Sequence, residues 1–303
     1  MLDPGLLPSI ARRSLVPIGL SAALVGCSAS GGGNTFGDGG GGSNPTSSSG
    51  TGTNGDGGSG GLGFGAGGGG QGGSAPLEGE VFAHSASTLY RLDPISKEVT
   101  VVGAFGGCND SVIDIAIDKN GLMFGTTFSG LHRIDKVTAA CTLVASGGYP
   151  NSLSFVPKGT VDPNEEALVG YSGGSYTRID TATGDISQIG TLGGGYSSSG
   201  DVVSVIGGGT YLTVNGNGCG DCIVQVNPTT GELMNLIGPL NRTSVFGLAF
   251  WGGSAYGFND GGALFQIDLS NGMATDIPMP SAPPGLSFYG AGSTTAAPLE
   301  EPE

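Results

Sequence analysis

The stretch Tyr176–Gly184, YTRIDTATG, decides the fold because the chain repeats it. Its strand half recurs and ends each time in an Asp or Asn, at Asp93, Asp135, Asp180, Asn227 and Asp268. Consecutive positions are 42, 45, 47 and 41 residues apart. In the turn that follows, the Asp or Asn side chain can bond the backbone two residues on, and Gly184 supplies the positive φ that ends the turn. An apolar strand follows each turn, so the pattern predicts repeated β-hairpins.

A second pattern, an apolar–small–apolar triplet, also recurs along the chain, at Ile115–Ile117, Leu153–Phe155, Val203–Val205, Leu248–Phe250 and Leu286–Phe288. Another short strand, such as Met123–Gly125, follows each of the first four triplets. One unit therefore has four short strands, and no helical periodicity occurs beyond the first 26 residues. Four antiparallel strands in each repeat of this length are typical of a β-propeller blade. We predict an all-β fold, with a β-propeller over residues 78–295.

The two ends of the repeat region complete each other. The first repeat, which begins with Val81–Ala83, has three outer strands but no triplet before them. The last triplet, Leu286–Phe288, has no outer strands after it. We therefore predict that Leu286–Phe288 pairs beside Val81–Ala83, so that a C-terminal strand closes a ring of five blades. Residues 296–303 are predicted to be an acidic tail.

These repeats resemble the secreted bacterial propellers that carry Leu-Tyr-x-Ile-Asp-x-x-Thr-Gly units. The resemblance covers residues 79–292 and implies a fold rather than an activity, since such propellers include binding modules, scaffolds and enzymes. Quinone-binding propellers have a related turn, but they also have a regular Trp in each blade. Trp251 is the only Trp in this chain, so we expect no quinone and no other dissociable cofactor.

The N-terminal segment has the pattern of an export signal. The basic pair Arg12 and Arg13 precedes an apolar run, Leu15–Val25, and the run ends in Leu24-Val-Gly-Cys27. This ending resembles the lipobox of bacterial lipoproteins. The resemblance implies a signal peptide over residues 1–26 and a diacylglycerol and acyl lipid on Cys27. The run is shorter than the about 20 residues that span a bilayer, and it contains Pro17.

The resemblance also predicts an exported, membrane-anchored protein. Ser28 and Ala29, which follow the lipidated Cys, contain no inner-membrane retention aspartate. In a bacterium with two membranes, this resembles a signal for the outer membrane.

Residues 27–77 are predicted to be a disordered, Gly/Ser-rich tether that begins at the lipidated Cys. Phe36, Leu62, Phe64 and Leu77 are the only large apolar side chains in residues 28–77. Such a segment cannot bury enough surface to offset the entropy of ordering its backbone. The alternative is a low-complexity insertion whose length has no function.

Charge excludes one class of partner. The chain has 25 acidic and 10 basic residues and a formal net charge of −15. Such a surface repels nucleic acid, so we expect no nucleic-acid partner. We expect a monomer that contacts the membrane through its anchor and binds a protein or a glycan.

Propeller topology brings the loops before the inner strands and the hairpins after the second strands to one face. Small polar and acidic residues predominate there, and these form the candidate binding face: Asn109, Asp110, Asn151, Asp201, Asn215, Asp221, Asn259 and Asp260, with Asp114 one step inside the channel. This ring could bind a cation, a sugar or a peptide. Alternatively, the residues are present because turns require them, and Asp114 is bonded to backbone amides.

No catalytic or metal motif fits. Gly170–Gly174 has the spacing Gly-x-Ser-x-Gly, but it forms a hairpin without a following helix, and both histidines, His84 and His132, precede its Ser. Too few His and Cys are present for a zinc site. We therefore expect a binding or scaffold protein rather than an enzyme. The alternative is a hydrolase or lyase whose Asp110, Asp114 and Asp201 converge within about 10 Å. A third hypothesis is a spacer that binds nothing.

The remaining cysteines form two pairs in the sequence. Cys219 and Cys222 lie in the longest hairpin of the candidate face, where we predict a disulfide rather than a redox site. Cys108 precedes the inner strand of the second blade, whereas Cys141 begins its outer strand at the predicted opposite end. A disulfide needs Cα atoms within about 7 Å, so these two are expected to stay unbridged.

Overall fold

The computed structural model describes residues 79–303. The predicted signal peptide, the lipid attachment at Cys27 and the predicted tether lie outside the described residues. Within residues 79–303, no helix is long and apolar enough to cross a membrane.

The described residues form short strands and turns. The strands are β1 (Val81–His84), β2 (Thr88–Leu92), β3 (Val99–Ala104), β4 (Val112–Ile117), β5 (Met123–Thr127), β6 (Gly130–Ile134), β7 (Cys141–Ser146), β8 (Ser152–Val156), β9 (Ala167–Ser172), β10 (Ser175–Ile179), β11 (Ile186–Thr191), β12 (Tyr196–Ser204), β13 (Thr210–Gly216), β14 (Cys219–Val226), β15 (Leu233–Pro239), β16 (Val245–Trp251), β17 (Ser254–Asn259), β18 (Leu264–Ile267), β19 (Ala274–Ile277) and β20 (Gly290–Ser293).

These strands form five antiparallel sheets of four strands each, which confirms the predicted five-bladed β-propeller. Blade 1 has the order β20-β1-β2-β3, and blades 2 to 5 are β4–β7, β8–β11, β12–β15 and β16–β19. The innermost strands are β20, β4, β8, β12 and β16. Each of them contacts the innermost strand of the next blade, so that the five close a ring around a central axis.

The ring is closed by a different C-terminal strand from the predicted one. Gly290–Ser293, and not Leu286–Phe288, pairs with β1, with His84 opposite Gly290 and Val81 opposite Ser293. The axis requires small residues: a Cβ on Gly290 would lie 2.8 Å from Asp114 Oδ1. Phe288 is instead buried between blades 1 and 5, where its ring meets Phe258 edge-on at a centroid distance of 5.2 Å.

The repeated turn has the geometry that its sequence predicts. Asp180 Oδ1 accepts the backbone N–H groups of Ala182 and Thr183 at 2.8 and 2.9 Å. Gly184 has a φ of +76° and donates its N–H to Asp180 O at 2.8 Å. In the blades that lack this Gly, Lys97 and Ala139 adopt a positive φ at the corresponding position.

Neighbouring blades also touch at their outer strands. Leu233, the first residue of β15, donates its N–H to Leu192 O just beyond β11, at 2.9 Å. Cys141, the first residue of β7, likewise donates to Gly106 O beyond β3, at 2.7 Å. Each strand of a sheet is rotated by roughly 20–25° against the next, so the outer strand turns well away from the inner one. The end of one outer strand therefore approaches the start of the next.

This contact explains why the expectation for Cys108 and Cys141 was wrong. The two cysteines form a disulfide, and their Cα atoms are 5.1 Å apart. The prediction treated the blade as a flat sheet with the two residues at opposite ends. In the twisted blade, the chain passes the start of β7 on its way from blade 1 to blade 2. The disulfide therefore links this crossover to the outer strand without changing the predicted order of blade 2.

The C-terminal residues pack against the propeller. Ala297 is buried, and Pro298 O accepts the N–H of Gly253 at 3.4 Å. Gly79, the first described residue, lies beside Ala297. Both ends of the described chain therefore meet at the face opposite the one at which the inner strands begin.

Candidate functional site

We call the end of the ring at which the inner strands begin the mouth face. The hairpins between the second and third strands of each blade turn at the same end. Most predicted face residues lie here and are exposed or half-buried, namely Asn109, Asp110, Asn151, Asn215, Asp221, Asn259 and Asp260. Burial raises the pKa of Asp221, the half-buried carboxyl among them.

Asp114 and Asp201 do not belong to this surface, which corrects their place in the candidate binding face. Both side chains are fully buried at the axis, on the inner strands of blades 2 and 4. Inner-strand residues that face the axis are enclosed by the other four blades. These carboxyl groups therefore cannot contact a partner at the surface.

Asp114 instead bonds to backbone amides of two blades. Its Oδ1 accepts the N–H of Ile115 at 2.8 Å, and its Oδ2 accepts the N–H of Leu153 in blade 3 at 2.6 Å. Burial raises the pKa of Asp114 well above its usual range, and the neighbouring charge of Asp201 raises that pKa further. The side chain thus connects blades 2 and 3.

Asp201 repeats this arrangement two blades further on. Its Oδ1 accepts the N–H of Val202 at 2.6 Å, and its Oδ2 accepts the N–H of Leu248 in blade 5 at 2.9 Å. Burial raises the pKa of Asp201 well above its usual range, although the backbone bonds oppose the rise. Asp114 and Asp201 are hydrogen-bonding neighbours whose pKa values are both raised, so the buried pair binds a proton more tightly than exposed carboxyl groups do.

His84 faces the same buried space from the second strand of blade 1. Its Nδ1 donates to Ser85 O at 2.9 Å, and burial lowers the pKa of His84 to about 4. The imidazole is therefore neutral, with a free lone pair on Nε2. This atom is buried beside Gly290, as is Asp114 Oδ1, and it has no hydrogen-bond partner among residues 79–303.

The axial groups do not form a metal site of the usual kind. In the described part of the chain, no group of three or more His, Cys, Asp or Glu side chains is placed to hold a metal ion. The hypothesis of a cation bound at the mouth therefore has no side-chain cluster in residues 79–303 to support it.

Above the buried pair, a pocket of about 260 Å³ opens on the axis of the mouth face. We call it the mouth pocket; it is lined by Ile113, Phe128, Asn151, Ser199, Gly200, Phe246 and Tyr289. Every blade contributes to it, because Tyr289 precedes the inner strand of blade 1 and Asn151 precedes that of blade 3. Ile113, Ser199–Gly200 and Phe246 come from blades 2, 4 and 5.

Bulges in three inner strands build this lining. In β4, Val112 faces Thr127 while Asp114 faces Thr126, so Ile113 is an extra residue without a partner. Phe246 is the corresponding extra residue in β16, and Ser199–Asp201 interrupt the pairing of β12. A bulge redirects a side chain out of the regular alternation. Here the bulges turn side chains toward the axis at one level of the ring.

The mouth pocket has an apolar side and a polar side. Tyr289, Ile113 and Phe246 come from the adjacent blades 1, 2 and 5, and Phe128 from the second hairpin of blade 2. Phe128 and Tyr289 are 70% and 44% exposed, although both rings are largely apolar. Asn151 and Ser199, from blades 3 and 4, complete the polar side.

The apolar lining was not predicted from the sequence. Ile113 and Phe246 are hidden inside apolar strands, and only strand pairing shows that they are extra residues. Phe128 did carry a signal: it lies at the tip of the hairpin between β5 and β6, whereas the corresponding tips of the other blades contain only Ser, Ala, Gly, Asn and Asp. A single exposed apolar residue is common on protein surfaces, so this signal gains weight only from the apolar side chains that the structure places beside it.

The mouth face offers almost no positive charge. Among its connections and hairpins in the described chain, Arg242 is the only Lys or Arg, and Asp276 pairs with it at 2.9 Å. Asp110 and Asp260 are exposed on the same face. The surroundings of the mouth pocket are therefore acidic.

The hairpin that connects β13 and β14 also rises at this face. Cys219 and Cys222 form a disulfide within it, with Cα atoms 6.0 Å apart. The tip residues Asn217 and Gly218 both have positive φ values. The disulfide restricts a Gly-rich hairpin that borders the mouth.

Comparison with known proteins gives a likeness in fold only. No protein-family model and no curated protein matches the chain. A crystal structure of a nidogen/laminin complex matches with a TM-score of 0.43 and 12% identity, covering 70% of this chain and 78% of that chain. TolB from Acinetobacter baumannii matches with a TM-score of 0.41 and 16% identity, covering 68% and 51%. A protein of unknown function from Bacteroides caccae has a TM-score of 0.37 and 12% identity, covering 66% and 73%. The β-propeller fold is compatible with a binding or scaffold role.

Proposed function

We propose that this chain is a lipid-anchored binding protein of the cell envelope that contacts its partner through the mouth pocket. The observation that carries the proposal is the convergence of all five blades on one pocket at the axis, with Phe128 and Tyr289 exposed at its edge. Contiguous apolar surface that remains exposed on a protein marks interaction sites, and ligands bind preferentially in concave pockets with an apolar lining.

The anchor in this proposal is the lipidated Cys27. The lipobox-like ending at Cys27 and the shortness of the apolar run before it support export and lipidation. In a bacterium with two membranes, the outer membrane is the expected location. Gly79, the first described residue, lies beside Ala297 on the face opposite the mouth pocket.

We propose binding rather than catalysis. A hydrolase or lyase would need Asp110, Asp114 or Asp201 in contact with substrate. Asp114 and Asp201 are fully buried, and all four of their carboxyl oxygens accept backbone N–H groups. Asp110 is exposed, but its Oδ1 accepts the N–H of Ser111 at 2.7 Å.

Two experiments test the two halves of the proposal. For the anchor, metabolic labelling with a fatty acid is expected to mark the full chain and to be lost in Cys27→Ala. For the pocket, immobilised full-length protein is exposed to solubilised envelope material from its source. The double variant Phe128→Ala/Tyr289→Ala should then lose most of the captured mass.

Met273→Ala is the matched control for the pocket experiment. Met273 is also large, apolar and exposed, but it lies in a turn at the opposite face. It should capture as much as the wild type. Equal capture by the double variant would show that the mouth pocket is not the binding site, and labelling that persists in Cys27→Ala would refute the anchor.

A further inference from the structure

We propose that the partner at the mouth pocket is a basic peptide segment that inserts one large apolar side chain between Tyr289 and Phe128 and places Lys or Arg beside it. This inference rests on the proposed binding function and adds the chemical class of the partner. Its two supports are the apolar lining of the pocket and the acidic, cation-poor face around it.

The size of the pocket sets the size of the inserted group. Pockets for drug-sized ligands have volumes of roughly 300–1,000 Å³. The mouth pocket holds about 260 Å³, which suits one large side chain rather than a folded element. Ile113, Phe246 and Tyr289 supply the apolar contact, and the single amide of Asn151 can bond the peptide backbone that carries the side chain.

The acidic surroundings of the pocket favour a partner with positively charged side chains. Asp110 and Asp260 are exposed there, and the only cation of these loops, Arg242, is already paired with Asp276. The exposed rings of Phe128 and Tyr289 can also attract a Lys or Arg over their faces. Charge complementarity of this kind accelerates association and rejects acidic partners.

The same charge argument excludes two other occupants. The chain's own residues 28–77 include Phe36 and Phe64, but their only charged residues are Asp38 and Asp56, so they would bring negative charge to an acidic face. A second copy of the chain would bring a formal net charge of −15. Both would be repelled where a basic peptide is attracted.

The pocket is also preorganised. Apart from Phe128, its lining residues lie on or directly beside the inner strands, and Asp114 and Asp201 tie these strands to neighbouring blades. Little conformational entropy of the protein is therefore lost on binding, so contacts with a short segment of the partner are enough for measurable affinity.

The test uses the full-length protein and a random peptide library displayed on phage. We expect selection of sequences with a large apolar residue flanked by Lys or Arg. Synthetic versions of the selected peptides should bind about tenfold more weakly to Tyr289→Ala and to Phe128→Ala, with the wild-type affinity retained in Met273→Ala. Two separate pocket variants are used so that a folding defect in one leaves the other informative.

Salt dependence separates charge from apolar contact. Binding to the wild type should weaken as salt rises, and Asp110→Asn/Asp260→Asn should reduce this dependence, since screening acts mainly on exposed charges. Tyr289→Ala should lower affinity at every salt concentration and leave the dependence intact. Selection of acidic or uncharged peptides, or binding that ignores both pocket variants, would overturn the proposal.

A parallel glycan array on the same protein distinguishes the two levels of inference. Suppose that a neutral glycan binds the wild type but not Phe128→Ala or Tyr289→Ala, and that no peptide is selected. The proposal of a basic peptide partner is then wrong, while the proposed binding function of the mouth pocket remains. If Phe128→Ala/Tyr289→Ala captures as much envelope material as the wild type, both the basic peptide and the binding role of the mouth pocket are wrong.

Discussion

Two carboxyl groups at the axis show how single residues shape this ring. Asp114 and Asp201 each accept two backbone N–H groups, one from their own strand and one from the next blade. Four donated N–H groups stabilise negative charge, but full burial of two neighbouring carboxyls disfavours two charges more strongly. The pKa of both groups is therefore raised, and the native pair holds a proton that the unfolded chain releases.

This retained proton predicts that stability falls as pH rises. A raised folded pKa gives stability that is complete below the ordinary Asp pKa of about 3.9 and is lost as pH rises toward the folded value. One proton corresponds to about 1.4 kcal/mol of unfolding free energy per pH unit. We expect the wild-type unfolding free energy, measured by urea denaturation, to fall with this sign as pH rises above about pH 7, and the profile of Asp114→Asn/Asp201→Asn to be flatter.

His84 sets the lower limit of this pH window. Its pKa is lowered to about 4, so its contribution is complete above the ordinary His value of 6.5 and is lost only as pH falls through about 4. Above pH 7 the imidazole therefore adds no slope. Asp260→Asn, at an exposed site, is the control and should keep the wild-type profile. A flat wild-type profile would show that the pair is ionised in the native state.

At the scale of strands, the sequence predicts the number and order of elements better than their exact registers. The five Asp and Asn turns predict the hairpins because each turn is local chemistry. The closing strand is misassigned because Leu286–Phe288 matches the triplet pattern as well as a true inner strand does. Only packing shows that Phe288 fits between blades, whereas Gly290–Ser293 fits at the axis.

The prediction that Cys108 and Cys141 stay unbridged is wrong for a related reason. Sequence places the two residues in the correct elements, but it does not show how far each sheet twists. The bulges behind Ile113 and Phe246 are hidden in the same way, since an extra residue in a strand is visible only against its partner strand.

The different loop lengths of the two disulfides predict which of them contributes more to the free energy of unfolding. Cys108 and Cys141 are 33 residues apart, which corresponds to about 3.7 kcal/mol in the chain-entropy model. Cys219 and Cys222 are 3 residues apart, which corresponds to about 2 kcal/mol. Cys108→Ala/Cys141→Ala should therefore lower the free energy of unfolding more than Cys219→Ala/Cys222→Ala, measured by urea denaturation. Each double variant is the control for the other, and a reversed order would mean that local packing outweighs loop closure.

At the scale of the whole molecule, the ring explains why the mouth face is predictable and the mouth pocket is not. Topology alone assigns Asn109, Asn151 and Asp260 to one end, because strand direction alternates in every blade. The pocket depends on how five separate segments meet at the axis, and no segment of sequence carries that information. Asp114 and Asp201 lie on the expected strands, yet the ring encloses them.

Closure of the ring by β20 gives the last prediction. β20 supplies the inner strand of blade 1 and completes the axis next to Asp114, so a chain that ends at Phe288 exposes the edge of β1 and opens the buried pair to water. We expect this truncated chain to lose most of the roughly 5–15 kcal/mol that stabilises a domain and to form oligomers through the free edge, measured by thermal denaturation and light scattering.

A chain that lacks only residues 300–303 is the control and should unfold cooperatively as a monomer. A synthetic peptide of residues 289–299 should restore the monomer when added to the truncated chain, because the missing strand docks by backbone pairing. If the chain that ends at Phe288 instead melts at the wild-type temperature as a monomer, β20 does not hold the ring closed.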